Sequence, residues 1–228
     1  MHDLSKYIKE RIHLLSWSAL AYALVCFTYG SFWLNGIRLA ESFGVFVFLI
    51  LFRLYDDLAN SEIDRHKLQR SYTKDSKAIL LKGYFYLLYT GLILLLAFHE
   101  ARQAILLISF LLLCEICYYV LFPFRKIRLL LPLLKYPFVV LVLGSQDPYA
   151  IFGLFLIFLL IEYRDEDVIS KFMALPILFV AYALCYLNNQ DLHVAIVFLI
   201  LSIATLLVNY KRARYLLLFL YILNNVAL

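Results

Sequence analysis

The sequence predicts an all-α fold, a polytopic transmembrane helical bundle of about nine helices that forms one integral-membrane domain over residues 1–228. Of the 228 residues, 64% are hydrophobic, whereas a soluble globular domain is usually about 45–50% apolar. Apolar runs of about the 20 residues that a spanning helix needs follow one another with only short polar breaks. Runs such as Ile151–Ile161 lack the strict polar–apolar alternation of a membrane barrel, so the spanning segments are predicted to be helices.

The apolar runs divide into nine predicted helices, separated by short polar connections. Pro132, Pro137 and Pro176 fall inside predicted helices, where neighbouring helices can satisfy the freed carbonyl groups. The predicted helices cover residues 14–33, 36–57, 77–98, 102–122, 128–145, 148–164, 170–187, 191–208 and 213–228.

The distribution of basic residues predicts the orientation in the membrane. With the N-terminus inside, Arg38 and Arg102 lie outside, Lys135 lies within a helix, and the rest of the 21 Lys and Arg lie in or beside the inner segments. Cytoplasmic loops carry such an excess, so the net charge of +5 is attributed to them and not to nucleic-acid binding. The pattern predicts a multi-pass protein of a bacterial inner membrane, with a cytoplasmic N-terminus and an outer C-terminus.

The longest predicted connection is the inner segment from about 58 to 76, and its start carries polar side chains in a helical pattern. Asp56, Asn60 and Asp64 are spaced i, i+4, i+8, which places three oxygen-bearing side chains on one helix face. Such a ladder suits Mg²⁺, a hard cation that binds carboxylates together with phosphate oxygens. A solvated helix end with i, i+4 charge pairs is the alternative interpretation.

A second acidic cluster follows the sixth predicted helix. Glu162 and Glu166 are again spaced i, i+4, and the predicted topology puts both acidic clusters on the inner face. Because clustered carboxylates repel one another, two such clusters favour a bound cation.

Two ionisable residues, Glu115 and Lys135, lie inside predicted helices four and five. Each lies roughly 10 Å from the inner end of its helix, at a rise of 1.5 Å per residue. Ionisable groups inside a membrane are costly and usually face a partner or a wet cavity. Two interpretations stay open: a structural ion pair between them, or two members of an active cavity.

Three motifs resemble those of the UbiA family of intramembrane prenyltransferases. The ladder Asp56-x-x-x-Asn60-x-x-x-Asp64 is similar to the first aspartate-rich motif of that family, with Asn60 in place of the usual middle Asp. Phe122-Pro-Phe-Arg125-Lys126 resembles the Y-P-F-x-K-R that precedes helix five. The second acidic cluster falls where the family has D-x-x-x-D, but with Glu162 and Glu166. Nine helices with acidic inner loops after helices two and six are also the architecture of the family.

The resemblance implies transfer of a prenyl group from a prenyl diphosphate to an unidentified acceptor in the lipid bilayer, with Mg²⁺ as cofactor and no nucleic acid. Asp64 and Glu115 would be catalytic, with Glu115 facing the acceptor, while Tyr118, Tyr119 and Phe122 would line the cavity. The implied metal ligands are Asp56, Asn60, Asp64, Glu162 and Glu166. The implied diphosphate-binding residues are Arg53, Arg65, Arg70, Lys74, Arg125, Lys126 and Lys135.

Other functions also fit the sequence. One alternative within the superfamily is a transferase acting on a polyprenyl phosphate and a phosphorylated sugar. The others are a membrane transporter and a catalytically inactive scaffold. Transport is less favoured because the carboxylates lie at helix ends and not near the bilayer midplane, where transporter sites usually lie.

Overall fold

Every regular element of the computed structural model is helical, and no strand occurs among the described residues. The all-α prediction is confirmed for that part of the chain. The structure describes residues 7–9, 12–33, 35–60, 75–120, 131–145, 147–165, 171–187, 192–208 and 213–226.

Nine α-helices, α1 to α9, follow the order of the predicted helices within the described ranges. Their bounds are Leu14–Tyr29 (α1), Gly36–Ala59 (α2), Asp75–His99 (α3), Ala101–Val120 (α4), Lys135–Val142 (α5), Pro148–Asp165 (α6), Lys171–Leu187 (α7), Leu192–Val208 (α8) and Ala213–Val226 (α9).

The prediction of about nine helices is wrong by one element, because a separate 3₁₀ helix, Leu131–Leu134, directly precedes α5. The described part of the chain thus holds ten helical elements. The region predicted as one helix over 128–145 contains Pro132 and Pro137. Proline lacks the N–H of an intrahelical hydrogen bond and is tolerated best in a first turn. Pro132 accordingly lies in the 3₁₀ turn and Pro137 in the first turn of α5.

Local caps set the ends of α1 and α2. Gly30 has a φ of 58°, a left-handed conformation that glycine adopts without steric cost. The N–H of Ser31 donates to the carbonyl of Cys26 at 3.2 Å, as in a Schellman C-cap. Helix α1 therefore ends at Tyr29, four residues before the predicted end. Asn35 then begins α2, because its Oδ1 accepts a hydrogen bond from the N–H of Arg38 at 2.8 Å, which is N-cap geometry.

The connection between α5 and α6 repeats this pair of caps. Gly144 has a φ of 101°, and the N–H of Ser145 donates to the carbonyl of Val140 at 3.2 Å. Asp147 accepts from the N–H of Tyr149 at 2.9 Å, and Pro148 occupies the first helical position. Both helix ends are thus determined by residues next to them in the chain.

The chain divides into two compact units, Met1–Ala21 with Ala40–Pro132, and Tyr22–Leu39 with Leu133–Leu228. In the first unit α3 packs on α4, where the Tyr89 hydroxyl donates to the carbonyl of Leu107 at 2.8 Å. In the second unit α6 packs against α5, α7 and α9, and α8 packs against α7 and α9.

Two of the described helices are long and apolar enough to cross a membrane, namely the segment Ala78–Ala97 of α3 and the whole of α4. Only 17% of the most apolar window in α3, and 28% of that in α4, is buried inside the protein. Large apolar side chains on both helices are therefore exposed, among them Leu87, Ile105 and Ile116.

Candidate functional site

Two adjacent aspartates, Asp56 and Asp57, are buried at the last turn of α2. Their exposed fractions are 6% and 3%, in a helix whose other buried residues are mostly apolar. A buried carboxylate is destabilising unless hydrogen bonds or opposite charges compensate for the lost water. The hydrogen-bond and ion-pair partners of Asp56 and Asp57 therefore determine the chemistry that this helix end can support.

The Asp56 carboxylate accepts hydrogen bonds from two side chains. The Tyr118 hydroxyl, on α4, donates to Oδ1 at 2.5 Å. The Nδ2 of Asn60 donates to the same oxygen at 2.8 Å and to the Asp56 carbonyl at 2.9 Å. Arg53 Nη1 lies 3.7 Å from Oδ2. The i, i+4 spacing of Asp56 and Asn60 therefore brings the two side chains into contact, as the ladder predicts.

The Asp57 carboxylate has a different set of partners. Its Oδ2 accepts a hydrogen bond from the Tyr7 hydroxyl at 2.8 Å, and its Oδ1 lies 3.4 Å from Arg53 Nη2. The guanidinium of Arg53 thus contacts both aspartates. This contact brings the two carboxylates next to one shared positive charge.

Among the described residues, Asp56 and Asn60 carry oxygen atoms of the kind that Mg²⁺ binds. Asp56 offers a carboxylate, and Asn60 offers an amide oxygen, since its amide nitrogen is the atom turned towards Asp56. Magnesium is usually held by one or two carboxylates, with substrate phosphates and water completing its shell. The described residues contain no group of three His, Cys, Asp or Glu side chains gathered as a metal site, so Asp56 and Asn60 alone would not complete the ligand shell of a metal ion.

Aromatic rings continue from the carboxylates along the first unit. The ring of Tyr118 meets that of Tyr55 edge-on, with centroids 5.5 Å apart. Tyr55 in turn lies 5.2 Å from Phe85 and 5.9 Å from Phe52, and Phe52 lies 5.3 Å from Phe110. All five side chains are buried. Tyr118, predicted as an aromatic lining residue, thus also donates to a carboxylate.

The two ionisable residues of the predicted helix interiors have separate surroundings. Glu115 is exposed on α4 and accepts a hydrogen bond from the Tyr86 hydroxyl of α3 at 3.1 Å. Lys135 is 2% exposed at the start of α5, with its Nζ 5.0 Å from the centroid of the Tyr136 ring. Glu115 and Lys135 belong to different units, and both interpretations of them stay predictions.

Most of the other predicted site residues lie outside the described part of the structure. Tyr119 is described and is 86% exposed. Glu162 lies in α6, but its side chain is outside the described part of the structure. The predicted residues that lie outside the described ranges altogether are Asp64, Arg65, Arg70, Lys74, Phe122, Arg125, Lys126 and Glu166.

Two residues of this cluster, Tyr7 and Asp57, are absent from the sequence prediction of the site. The helical spacing places Asp57 off the ladder face, which agrees with its separate partners. No sequence signal marks Tyr7, because a tyrosine fifty positions before its partner has no pattern to distinguish it.

Comparisons with protein-family models, curated proteins and solved structures find no significant match for this chain.

Proposed function

We propose that this chain is a multi-pass integral membrane enzyme that transfers a prenyl group from a prenyl diphosphate to an acceptor. Mg²⁺ would be held by Asp56, Asn60 and Asp64, with Glu162 and Glu166 as the further predicted ligands. The observation that carries the proposal is the buried Asp56 carboxylate in contact with Asn60 at the end of an apolar helix. This contact is the described part of a ladder that resembles a diphosphate-binding motif.

The surface of the first unit supports the membrane part of the proposal. The two long apolar helices α3 and α4 expose most of their residues, including Leu87 at 70% and Ile116 at 60%. Soluble proteins rarely expose contiguous apolar patches beyond a few hundred Å², whereas lipid is a favourable environment for such a surface. The distribution of Lys and Arg supports an inner N-terminus, so Asp56 would lie at the cytoplasmic face.

The polar residues of α2 have distinct roles in this proposal. Bound Mg²⁺ supplies the positive charge that stabilises a departing diphosphate. Asp56 presents a carboxylate whose orientation is determined by the Tyr118 hydroxyl. Arg53 contacts both Asp56 and Asp57, which reduces the repulsion between the two carboxylates, and its predicted contact with diphosphate would place it at the rim of the site. Arg65, Arg70 and Lys74 are predicted to share the charge of the diphosphate.

The aromatic rings next to Asp56 suit the organic part of the substrate. Departure of diphosphate leaves positive charge on an allylic carbon, and aromatic faces attract cations. Tyr118 and Tyr55 lie nearest to the carboxylate, and the buried rings of Phe52, Phe85 and Phe110 extend the aromatic group. An isoprenoid chain is apolar and would be accommodated beside these side chains.

The test uses the adjacent aspartates as a matched pair. The purified protein in lipid nanodiscs is incubated with Mg²⁺, a panel of prenyl diphosphates and a lipid extract, and diphosphate release is measured. Asp56→Asn and Asp57→Asn both keep an oxygen that accepts the tyrosine hydrogen bond, so both variants should fold. We expect Asp56→Asn to lose release, and Asp57→Asn to retain most of it, because Asp57 faces Tyr7 and not the ladder.

Three results would count against the proposal. Diphosphate release that is independent of Mg²⁺, or equal in Asp56→Asn and in the unmodified protein, would exclude a metal site at the ladder. Movement of an ion or solute across the membrane without consumption of any diphosphate ester would favour a transporter. Absence of Mg²⁺-dependent binding of a prenyl diphosphate analogue would favour a scaffold.

A further inference from the structure

We propose that a cavity between the α1–α2 connection (residues 30–33) and the end of α9 binds the phosphate headgroup of a membrane phospholipid. The cavity has a volume of about 490 Å³, within the range of small-molecule sites. All of its lining residues belong to the second unit, and they are Gly30, Ser31, Phe32, Trp33 and Val226. The inference goes beyond the proposed transfer reaction and uses only the membrane placement of the chain.

Side chains of two helices hold the α1–α2 connection in one conformation. The Tyr22 hydroxyl of α1 donates to the carbonyl of Phe32 at 2.7 Å. From α2, Arg38 Nη1 donates to the carbonyl of Trp33 at 2.7 Å and to that of Ser31 at 3.4 Å. Three successive carbonyls of the cavity wall thus already accept hydrogen bonds from the protein. A wall that is fixed in this way loses little conformational entropy when a ligand binds.

The hydrogen-bonding groups that the cavity wall offers to a ligand are donors. The Ser31 hydroxyl oxygen accepts hydrogen bonds from Arg38 Nη1 at 3.1 Å and from the Trp33 N–H at 3.2 Å, so both of its lone pairs are used and its O–H remains to donate. Neither this O–H nor the indole N–H of Trp33 has an acceptor within the described part of the chain. The ligand therefore has to supply acceptor oxygens.

The phosphate diester of a phospholipid matches these donors. Its non-bridging oxygens only accept hydrogen bonds, and a hydrogen bond to a charged acceptor is about twice as strong as one to a neutral acceptor. The guanidinium of Arg38, whose Nη1 lies 3.1 Å from Ser31 Oγ, places positive charge directly behind the serine hydroxyl. An ammonium head would meet the same donors and the same positive charge, so the phosphate is the part of the headgroup that binds.

Exposed aromatic rings around the cavity favour a lipid over a free phosphate ion. Trp33 is 84% exposed and Phe32 is 41% exposed, and the ring of Tyr29 at the end of α1 is exposed as well. Tryptophan and tyrosine are enriched at membrane–water interfaces, at the level of the headgroups. The glycerol and acyl chains of a phospholipid would cover these rings, whereas a phosphate ion would leave them in water. In the predicted orientation the lipid would belong to the outer leaflet.

The experiment measures quenching of Trp33 fluorescence by a phospholipid that carries a nitroxide on its headgroup. Trp17→Phe leaves Trp33 as the sole tryptophan, and the protein is kept in dodecyl maltoside micelles, which contain no phosphate. Phosphatidyl-TEMPO-choline is titrated as a mole fraction of the micelle, without Mg²⁺ or prenyl diphosphate. We expect saturable quenching that unlabelled phosphatidylcholine and phosphatidylglycerol both reverse. Diacylglycerol, which lacks the phosphate, should compete about tenfold more weakly, as expected for loss of hydrogen bonds to a charged group.

Two variants test the cavity in different ways. Ser31→Ala removes the donor and should weaken binding of the nitroxide lipid by about tenfold. Val226→Phe leaves the hydrogen bonds of the connection untouched and fills part of the cavity, so it should weaken binding by a similar factor. Ser18→Ala is the matched control, because it removes a hydroxyl of α1 that donates to the carbonyl of Leu15 and does not line the cavity. It should leave binding unchanged.

Three results would overturn the inference. One is equal competition by diacylglycerol and phosphatidylcholine, and another is unchanged binding in both Ser31→Ala and Val226→Phe. The third is competition by inorganic phosphate as strong as that by phosphatidylcholine, which would indicate an anion site that needs no lipid. Because the measurement uses neither Mg²⁺ nor a prenyl diphosphate, failure of the lipid site would leave the proposed transferase activity standing, and failure of that activity would leave the lipid site standing.

Discussion

At the residue scale, the polar end of α2 depends on hydroxyl donors from distant parts of the chain. Asp56 receives its shortest hydrogen bond from Tyr118, 62 positions away, and Asp57 receives one from Tyr7, 50 positions away. Helical spacing predicts the contact between Asp56 and Asn60, because that contact lies within one turn. It cannot predict the two tyrosines, because their positions follow from the packing of α2 against other segments.

Removal of the hydroxyl in Tyr118→Phe should destabilise the protein. The substitution leaves a buried carboxylate oxygen without one of its donors, which costs about 1–3 kcal/mol. The measurement is the free energy of unfolding in mixed detergent micelles, followed by circular dichroism. Tyr119→Phe, at a side chain that is 86% exposed, serves as the control and should change stability by less than about 0.5 kcal/mol. Equal effects of the two substitutions would contradict a structural role for the Tyr118–Asp56 hydrogen bond.

Asn60→Asp should make the stability of the protein depend more strongly on Mg²⁺. The Asn60 amide donates to Asp56 Oδ1 at 2.8 Å, so a carboxylate at this position would replace an attraction with a repulsion. Without Mg²⁺ the variant should melt at a lower temperature than the unmodified protein, and added Mg²⁺ should raise its Tm by a larger increment. Half-maximal diphosphate release should also require less Mg²⁺.

Asn60→Ala is the control for this prediction, because it removes both the donor and the amide oxygen without adding charge. If Asn60→Asp and Asn60→Ala respond to Mg²⁺ as the unmodified protein does, residue 60 does not face a metal. That result would also contradict the alignment of this helix with the first aspartate-rich motif of the family.

At the scale of single elements, the sequence predicts the order of the helices well and their ends less well. Local signals that are visible in the sequence, Gly30 and Asn35 among them, set the ends of α1 and α2, yet the predicted first helix continues to residue 33. Several residues after Gly30 are apolar, so the hydropathy pattern continues past the end of α1 at Tyr29. Hydropathy carries no information about the left-handed φ of Gly30 that ends the helix. The 3₁₀ helix before α5 is not evident from hydropathy for a related reason, since both kinds of helix here are apolar.

Helix α6 contacts α9 closely at a glycine, and Gly153→Ala should weaken this contact. A methyl group at Gly153 would overlap the Tyr221 hydroxyl oxygen and lie 3.2 Å from the carbonyl of Ala181. Tyr221 is fully buried and hydrogen-bonded to the carbonyl of Ala150, so it has little freedom to move. Overpacking of this kind costs about 1–3 kcal/mol, measured as the change in the free energy of unfolding.

Gly91→Ala is the matched control for this substitution, because a methyl group there would meet nothing within 4 Å in the interior of α3. It should stabilise the protein by up to about 1 kcal/mol through helix propensity. The double variant Gly153→Ala with Tyr221→Phe should recover part of the lost stability. Stabilisation by Gly153→Ala comparable to that of Gly91→Ala would show that α6 and α9 are farther apart at this level.

At the scale of the whole molecule, the distribution of basic residues predicts an orientation that labelling can test. Single cysteines are introduced at Asn35, Asn189 and Lys74 in a variant whose four native cysteines are replaced by serine or alanine. A membrane-impermeant maleimide applied to right-side-out vesicles should label positions 35 and 189, and position 74 only after permeabilisation. Labelling of position 74 in intact vesicles would reverse the orientation and move the proposed carboxylate site to the outer face.

The capped connection between α5 and α6 has a practical consequence for such experiments. Gly144 ends α5 and Asp147 begins α6 through hydrogen bonds that each remain within one helix end. The two caps do not depend on each other, so a short epitope inserted after Ser145 would lengthen the connection while leaving both helix ends intact. Antibody access to such an epitope would report sidedness in living cells, without cysteine replacement or purification.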